Sequence, residues 1–282
     1  MKNENTNRMS DETADNIPPA PKDRNAARAN ALFRALKAAT AELGEAIAQR
    51  DIADMAGDTR RLKRLQGDVD ELLARLADPA IKNTFEKPLG EAYAQGFDQS
   101  GIDAFATASI NKEQIKALAD GFVETAQKSL AKSQSNLPYI ASRVLTPAES
   151  DSVRELAIEA TARGLTSKQF AKILRDRGPV ASRAYNEDGV SWVQITESRR
   201  IPADVYADTL ARTMTYHASN RGTVDRAEQA GVRTVLVVKN PGTIDFCLDL
   251  EGKIYALDSA LSLIHISEPT RLRRISYAVF CL

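Results

Sequence analysis

Few side chains in this sequence could do chemistry, and their spacing matches no catalytic motif. His217 and Cys247 could act as a general base or a nucleophile, and Asp245, Asp249 and Glu251 form carboxylate pairs. A reactive thiol needs a neighbouring group that stabilises its thiolate, and the sequence indicates none. We interpret His217 as a surface or packed histidine, Cys247 as a small buried side chain and the carboxylates as solvated turn residues. The motifs of phosphate-binding loops, zinc proteases and serine hydrolases are absent from the sequence. It therefore predicts no catalytic residue, no enzymatic activity, no cofactor and no small-molecule substrate.

The last stretch, Leu261–Leu282, reads LSLIHISEPTRLRRISYAVFCL. LSLIHISEPTR is the translation of a transposase-type sequencing adapter, and ISYAVFCL is the translation, in the same frame, of the flow-cell end of such an adapter. We expect the natural chain to be truncated near Ala260 and this segment to be an adapter-derived artefact. His265 and Cys281 belong to it, which leaves one histidine and one cysteine. A zinc site of four Cys and His ligands cannot be built from these within one chain, and we predict no metal site.

The overall composition excludes two classes of protein. The 282 residues include 38 Lys and Arg and 38 Asp and Glu, so the formal net charge is zero. A protein that coats nucleic acid in bulk needs an excess of positive charge. The longest aliphatic run, Val235–Val238, is too short to cross a bilayer. We therefore expect no membrane partner.

The first half of the chain is predicted to be helical after a disordered arm. Residues 1–24 are polar and end in prolines, which predicts the arm. Residues 25–145 are predicted to be a helical region. One stretch has apolar residues at alternating three- and four-residue steps: Leu62, Leu65, Val69, Leu72 and Leu76. This seam predicts either an intramolecular helical hairpin, which we favour, or an oligomer contact.

Two further segments of this region lack a clear helical pattern, and the first of them is mixed. Asn83–Gly101 contains Pro88 and several glycines, and Ser133–Tyr139 is predicted to be a loop. Between them, Asn111 is the predicted N-cap of a helix.

Two capping boxes follow, at Thr146–Glu149 and at Thr166–Gln169, and Gly164 is the predicted end of the first helix. Two short helices joined by a tight turn are typical of a helical hairpin, which we favour, and also of a DNA-binding helix-turn-helix. In the second case the second helix would offer basic side chains to phosphates and bases. These nucleic-acid candidates are Lys168, Lys172 and Arg175.

The remainder predicts helices that lead into a small sheet. Strands are predicted at Val190–Ile195, Val232–Val238 and Ile254–Leu257, and a long helix from Pro202 to about Ala230. The predicted fold class is α+β: a mostly helical N-terminal body with a small C-terminal β-sheet that the truncation leaves incomplete.

The stretch from Leu210 to Leu257 resembles the phage head morphogenesis family, the Mu F-like minor head proteins. The hallmark of this family is an A-R-T-E-like helix with a following Asn and Gly, a strand, and then C-x-x-C-x-x-L-x-G-K-x-Y. Two residues depart from the pattern, because Met214 replaces the Glu and Ile244 replaces the first Cys. The matching motif residues are Ala211, Arg212, Thr213, Asn220, Gly222, Cys247, Leu250, Gly252, Lys253 and Tyr255.

The resemblance implies a structural role. Residues 146–260 would be a truncated Mu F-like head morphogenesis domain. The protein would be a minor capsid component near the portal of a tailed phage or prophage, with portal and capsid or scaffold proteins as partners and DNA as a further partner in packaging or delivery. It would lie in the procapsid or head, and in the host cytoplasm during assembly. The alternatives are a DNA-binding helix-turn-helix module and the scaffold part of a toxin fusion whose enzyme domain is lost.

Overall fold

A computed structural model describes residues 25–98, 109–179, 182, 185, 192–196, 199–237, 254–257 and 280–281. The chain divides into two compact units. We call Asn30–Lys87 with Lys116–Ala211 the body unit, and Met1–Ala29, Pro88–Ile115 and Arg212–Leu282 the motif unit. The predicted disordered arm and most of the predicted adapter segment lie outside the described residues.

Helices dominate the described residues, and two small antiparallel sheets accompany them, which confirms the predicted α+β class. The helices are α1 (Ala26–Ala39), α2 (Leu43–Ala56), α3 (Thr59–Ala74, followed by a 3-10 turn at Arg75–Ala77), α4 (Pro79–Asp98), α5 (Lys112–Leu130), α6 (Leu137–Arg143), α7 (Pro147–Arg163), α8 (Ser167–Arg177) and α9 (Ala203–Gln229). The strands are β1 (Ser133–Gln134), β2 (Trp192–Thr196), β3 (Arg199–Pro202), β4 (Thr234–Val237), β5 (Ile254–Ala256) and β6 (Phe280–Cys281).

In the body unit, α2 and α3 form a helical hairpin. Gly57 ends α2 with a φ of 72°, a left-handed conformation that favours glycine. The Asp58 side chain then accepts a hydrogen bond from the Arg61 N–H and caps α3. The favoured interpretation of the apolar seam, an intramolecular helical hairpin, is confirmed. The buried face of α3 is rotated slightly from the predicted seam. Leu73 is buried, and Leu62 and Leu72 are only half-buried.

The two capping boxes are present as predicted. Thr146 and Glu149 cap each other at the start of α7, and Thr166 and Gln169 do so at the start of α8. Gly164, with a φ of 64°, ends α7. Both helices pack on α2 through a buried cluster that includes Ile52 and Phe170. Ile158 of α7 lies outside this cluster, and its side chain is 48% exposed.

The sequence indicated no single helix over the mixed stretch Asn83–Gly101, but α4 continues through Pro88 to Asp98. A proline inside a helix removes one hydrogen bond and costs about 3 kcal/mol. A stripe of buried side chains offsets this cost, at about 1.5–3 kcal/mol for each large apolar side chain. The stripe consists of Phe85, Leu89, Ala92, Tyr93 and Phe97.

The prediction of a loop at Ser133–Tyr139 was wrong, because this segment contains β1 and the start of α6. β1 is the short outer strand of a sheet with the order β1-β2-β3. A two-residue strand carries too little periodicity to be predicted from sequence.

The motif unit contains the second sheet, with the order β5-β4-β6 and both pairs antiparallel. β4 and β5 confirm the strands predicted at Val232–Val238 and Ile254–Leu257. Gly231, with a φ of 77°, turns the chain from α9 into β4. β6 lies in the segment predicted to be adapter-derived.

Candidate functional site

The first half of the sequence motif lies on α9. Arg212 is exposed, Thr213 and Asn220 are half-buried, and Gly222 is buried. These residues extend over more than two turns of one helix, so they do not converge on a single point.

Gly222 lies where α9 crosses α4 at backbone contact. A Cβ atom on Gly222 would lie 2.0 Å from the carbonyl oxygen of Tyr93, and one on Gly96 would lie 1.8 Å from that of Ser219. No side chain fits at either position without moving the backbone. The Thr223 hydroxyl donates a hydrogen bond of 2.9 Å to the Gly96 carbonyl at the same crossing. The motif glycine therefore sets how closely two helices approach.

A buried polar group lies beside this crossing. The Tyr93 hydroxyl donates a hydrogen bond to a carboxylate oxygen of Asp225, and both side chains are buried. Arg221 forms an ion pair with Asp225 at 2.7 Å. Burial, followed by the hydrogen bond to the Asp225 carboxylate, raises the pKa of Tyr93 above its ordinary range. The Tyr93–Asp225 hydrogen bond joins α4 to α9, and the ion pair adds an attraction between opposite charges, although Arg221 Nε and Asp225 Oδ1 lack hydrogen-bond geometry.

The second half of the motif is described only in part. Cys247, Leu250, Gly252 and Lys253 lie outside the described residues. The backbone of Tyr255 is in β5, opposite Val235 of β4. The assignment of Tyr255 to the motif stays a prediction.

The three nucleic-acid candidates share one face of α8. Lys168, Lys172 and Arg175 are all exposed, and their spacing places them on successive turns. The opposite face, with Phe170 and Leu174, is buried in the body unit.

An acidic side chain covers the N-terminus of α8. The N–H of Ser167 donates a hydrogen bond of 2.9 Å to Glu45 of α2, and the Ser167 hydroxyl donates to the other oxygen of that carboxylate. The Gln169 N–H donates to the Thr166 hydroxyl. A recognition helix contacts base edges through its N-terminal residues. In this structure α2 occupies part of that end, which disfavours the helix-turn-helix interpretation.

A cluster that the sequence did not indicate lies in the body unit, between α6 and the first sheet. The guanidinium carbon of Arg200 lies 3.6 Å from the ring centroid of Tyr139 and 4.6 Å from that of Trp192. The same guanidinium donates a hydrogen bond of 2.9 Å to the side-chain oxygen of Asn136. Tyr139 is 46% exposed. We call Asn136, Tyr139, Trp192 and Arg200 the aromatic–arginine cluster.

The described side chains include no group of His, Cys, Asp and Glu that could hold a metal ion. A search of the described helices finds none that is long and apolar enough to span a bilayer.

A family model described as phage minor capsid protein 2 matches residues 62–279. The chain belongs to this family. The match confirms the predicted class of protein, a phage head component. No curated protein and no solved structure matches the chain.

Membership of the phage minor capsid protein 2 family implies contacts with other virion proteins and a location in the virion. The family is structural and typically not enzymatic. The matched range includes both the body helices from α3 onward and the motif helix α9. It also continues past Ala260, and the predicted boundary between natural chain and adapter stays a prediction.

Proposed function

We propose that this minor capsid protein joins the phage head beside the portal, where it supports head assembly and the packaging or delivery of DNA by protein–protein contact and without turnover. The observation that carries the proposal is the family match over residues 62–279. The portal and the capsid or scaffold proteins are the proposed partners.

The body unit suits such a role because partly buried hydrogen bonds join its helices. The Arg61 guanidinium of α3 donates hydrogen bonds of 2.6 Å to the Thr161 carbonyl and 2.9 Å to the Gln49 side chain. The Gln49 amide in turn donates to the Leu165 carbonyl at 2.8 Å. These bonds join α2 and α3 to the end of α7. A surface fixed before docking loses less conformational entropy on binding.

The test is co-expression of the chain with the portal and capsid proteins of its own phage. We expect the chain to sediment with assembled procapsids and to be lost from those assembled without the portal. Procapsids that assemble normally and exclude the chain would contradict the proposal. An Arg64→Gln variant, which changes one exposed side chain of α3, serves as the matched control and should enter like the unaltered protein.

A further inference from the structure

The aromatic–arginine cluster is built by strand alternation together with one turn of helix. Val193 of β2 is 1% exposed and faces the core. Neighbouring side chains on a strand point to opposite faces, so Trp192 lies on the other face. In the β2–β3 register, Trp192 is opposite Pro202 and Gln194 is opposite Arg200. Arg200 is therefore a diagonal neighbour of Trp192 on the same face, and Tyr139 of α6 completes the cluster.

Arg200 is a partly buried cation that has no acidic partner in the described part of the chain. No carboxylate among those residues lies within ion-pair distance of its guanidinium, and its contacts are two aromatic rings and one neutral amide oxygen. Burial lowers the pKa of Arg200, because removal from water disfavours the charged form. A guanidinium has five N–H donors in a planar fork, and the hydrogen bond to Asn136 uses one of them. The remaining donors match the geometry of a carboxylate.

The composition of the cluster is that of an interface anchor. Tryptophan, tyrosine and arginine are the residues enriched at the positions that contribute most to protein–protein binding. The stacked rings fix the guanidinium before any partner arrives, which reduces the entropy lost on docking.

We propose that the aromatic–arginine cluster binds a carboxylate side chain from an acidic segment of a neighbouring head protein. This inference rests on the proposed function for the identity of the partner. Charge complementarity favours an acidic protein segment over nucleic acid. The cluster supplies one cation in a chain of zero formal net charge, whereas binding along a phosphate backbone needs several cations.

The chain offers a direct readout, because Trp192 is its one tryptophan. The experiment titrates the full chain with a short glutamate–glycine peptide and follows Trp192 fluorescence. A glutamine–glycine peptide of the same length tests for charge, and a short oligothymidylate tests for nucleic acid. We expect a saturable change with the glutamate peptide alone.

Three variants assign the response. Arg200→Gln should weaken binding of the glutamate peptide by about tenfold or more, because it removes a charge-assisted hydrogen-bonded pair. Tyr139→Ala, a change at an exposed ring, should weaken it by about threefold through loss of the cation–π contact. Arg64→Gln removes the same charge elsewhere in the body unit and should bind like the unaltered chain. Circular dichroism confirms that each variant is folded.

The cluster is not a carboxylate site if the glutamate peptide gives no saturable change, or if Arg200→Gln binds as well as the unaltered chain. A stronger response to oligothymidylate than to the glutamate peptide overturns the proposal in favour of nucleic acid. Procapsid entry of the unaltered chain tests the head function separately. If the chain enters procapsids but does not bind the glutamate peptide, only the carboxylate-site proposal is overturned. If the chain binds the peptide but does not enter procapsids, only the proposed head function is overturned.

Discussion

At the scale of single residues, the close crossing of α4 and α9 requires glycine at two positions. Gly96 and Gly222 each face a backbone carbonyl of the other helix within 2.0 Å of where a Cβ would be. Gly67 and Gly121 also lie within helices, but a Cβ added at either would have nothing within 4 Å. Gly96 and Gly222 thus lie where packed backbone leaves no room for a side chain, whereas open space surrounds Gly67 and Gly121.

We predict that Gly222→Ala and Gly96→Ala each lower the free energy of unfolding by about 1–3 kcal/mol or more, because the added methyl group displaces a helix backbone. Gly67→Ala and Gly121→Ala should leave it unchanged or raise it by up to about 1 kcal/mol, since alanine favours the helix. Urea denaturation followed by circular dichroism measures all four. Equal effects of the two pairs would show that the close crossing is absent in solution.

Glu159 of α7 forms ion pairs with Arg163 of the same helix and with Arg177 of α8. Hydrogen bonds from Arg163 and then Arg177 hold the pKa of Glu159 below its ordinary range. A carboxyl with a lowered folded-state pKa contributes stability that is present above the unfolded-state pKa, about 4.3. That contribution is lost as the pH falls through the folded-state value.

We therefore predict that Glu159→Gln is less stable than the unaltered protein near neutral pH and that the difference disappears on acidification. Unfolding free energies measured across the acid range check this. Glu155→Gln, at an exposed position on the same helix, is the control and should show a smaller difference. A difference for Glu159→Gln that stays constant with pH would refute the ion-pair interpretation.

At the scale of elements, the surroundings of α8 distinguish a packed helical hairpin from a DNA-binding helix-turn-helix. Its basic face is exposed, yet its N-terminus is bonded to Glu45 of α2. We predict that replacing Lys168, Lys172 and Arg175 with alanine leaves any association with duplex DNA unchanged at all salt concentrations. Fluorescence anisotropy over a salt series measures this. A weaker and less salt-dependent association in the variant would support the helix-turn-helix alternative.

Sequence patterns predicted the elements whose signals are local. The capping boxes at Thr146 and Thr166, the Asn111 cap and the strand β4 were all recognisable because a few adjacent residues define them. α4 was missed because its evidence is not local. Pro88 and Gly96 argue against a helix in isolation, and only the buried stripe of α4 and the close approach of Ser219 to Gly96 account for the helix.

The candidate sites were likewise only partly predictable from the sequence. The resemblance selected Gly222 as a motif residue, and only the structure shows that it faces the Tyr93 carbonyl. The aromatic–arginine cluster gave no sequence signal, because Tyr139 is far in sequence from Trp192 and Arg200. The strand register and the position of α6 bring them together.

At the scale of the whole molecule, the chain passes repeatedly between its two units. The unit boundaries at Ala29, Lys87, Ile115 and Ala211 fall within α1, α4, α5 and α9. A cut at any of these points would divide a helix. The domain boundary expected at residue 146 stays a prediction.

The gene offers the most informative prediction at this scale. We expect the coding sequence, amplified again from its source with primers outside the gene, to encode different residues after Ala260. The adapter translation of Leu261–Leu282 is the reason. Recovery of the same codons from unprocessed DNA would show that the segment, and the β4–β6 pairing, are natural.

Tyr93 is contacted at both of its ends by one helix: its carbonyl oxygen faces Gly222 and its hydroxyl bonds to Asp225. The spacing between Gly222 and Asp225 therefore fixes the register of α9 along the axis of α4. Loss or gain of a single amino acid inside that interval would disturb both contacts at once. Descendants of this gene should accordingly tolerate changes of residue type there far more readily than changes of length.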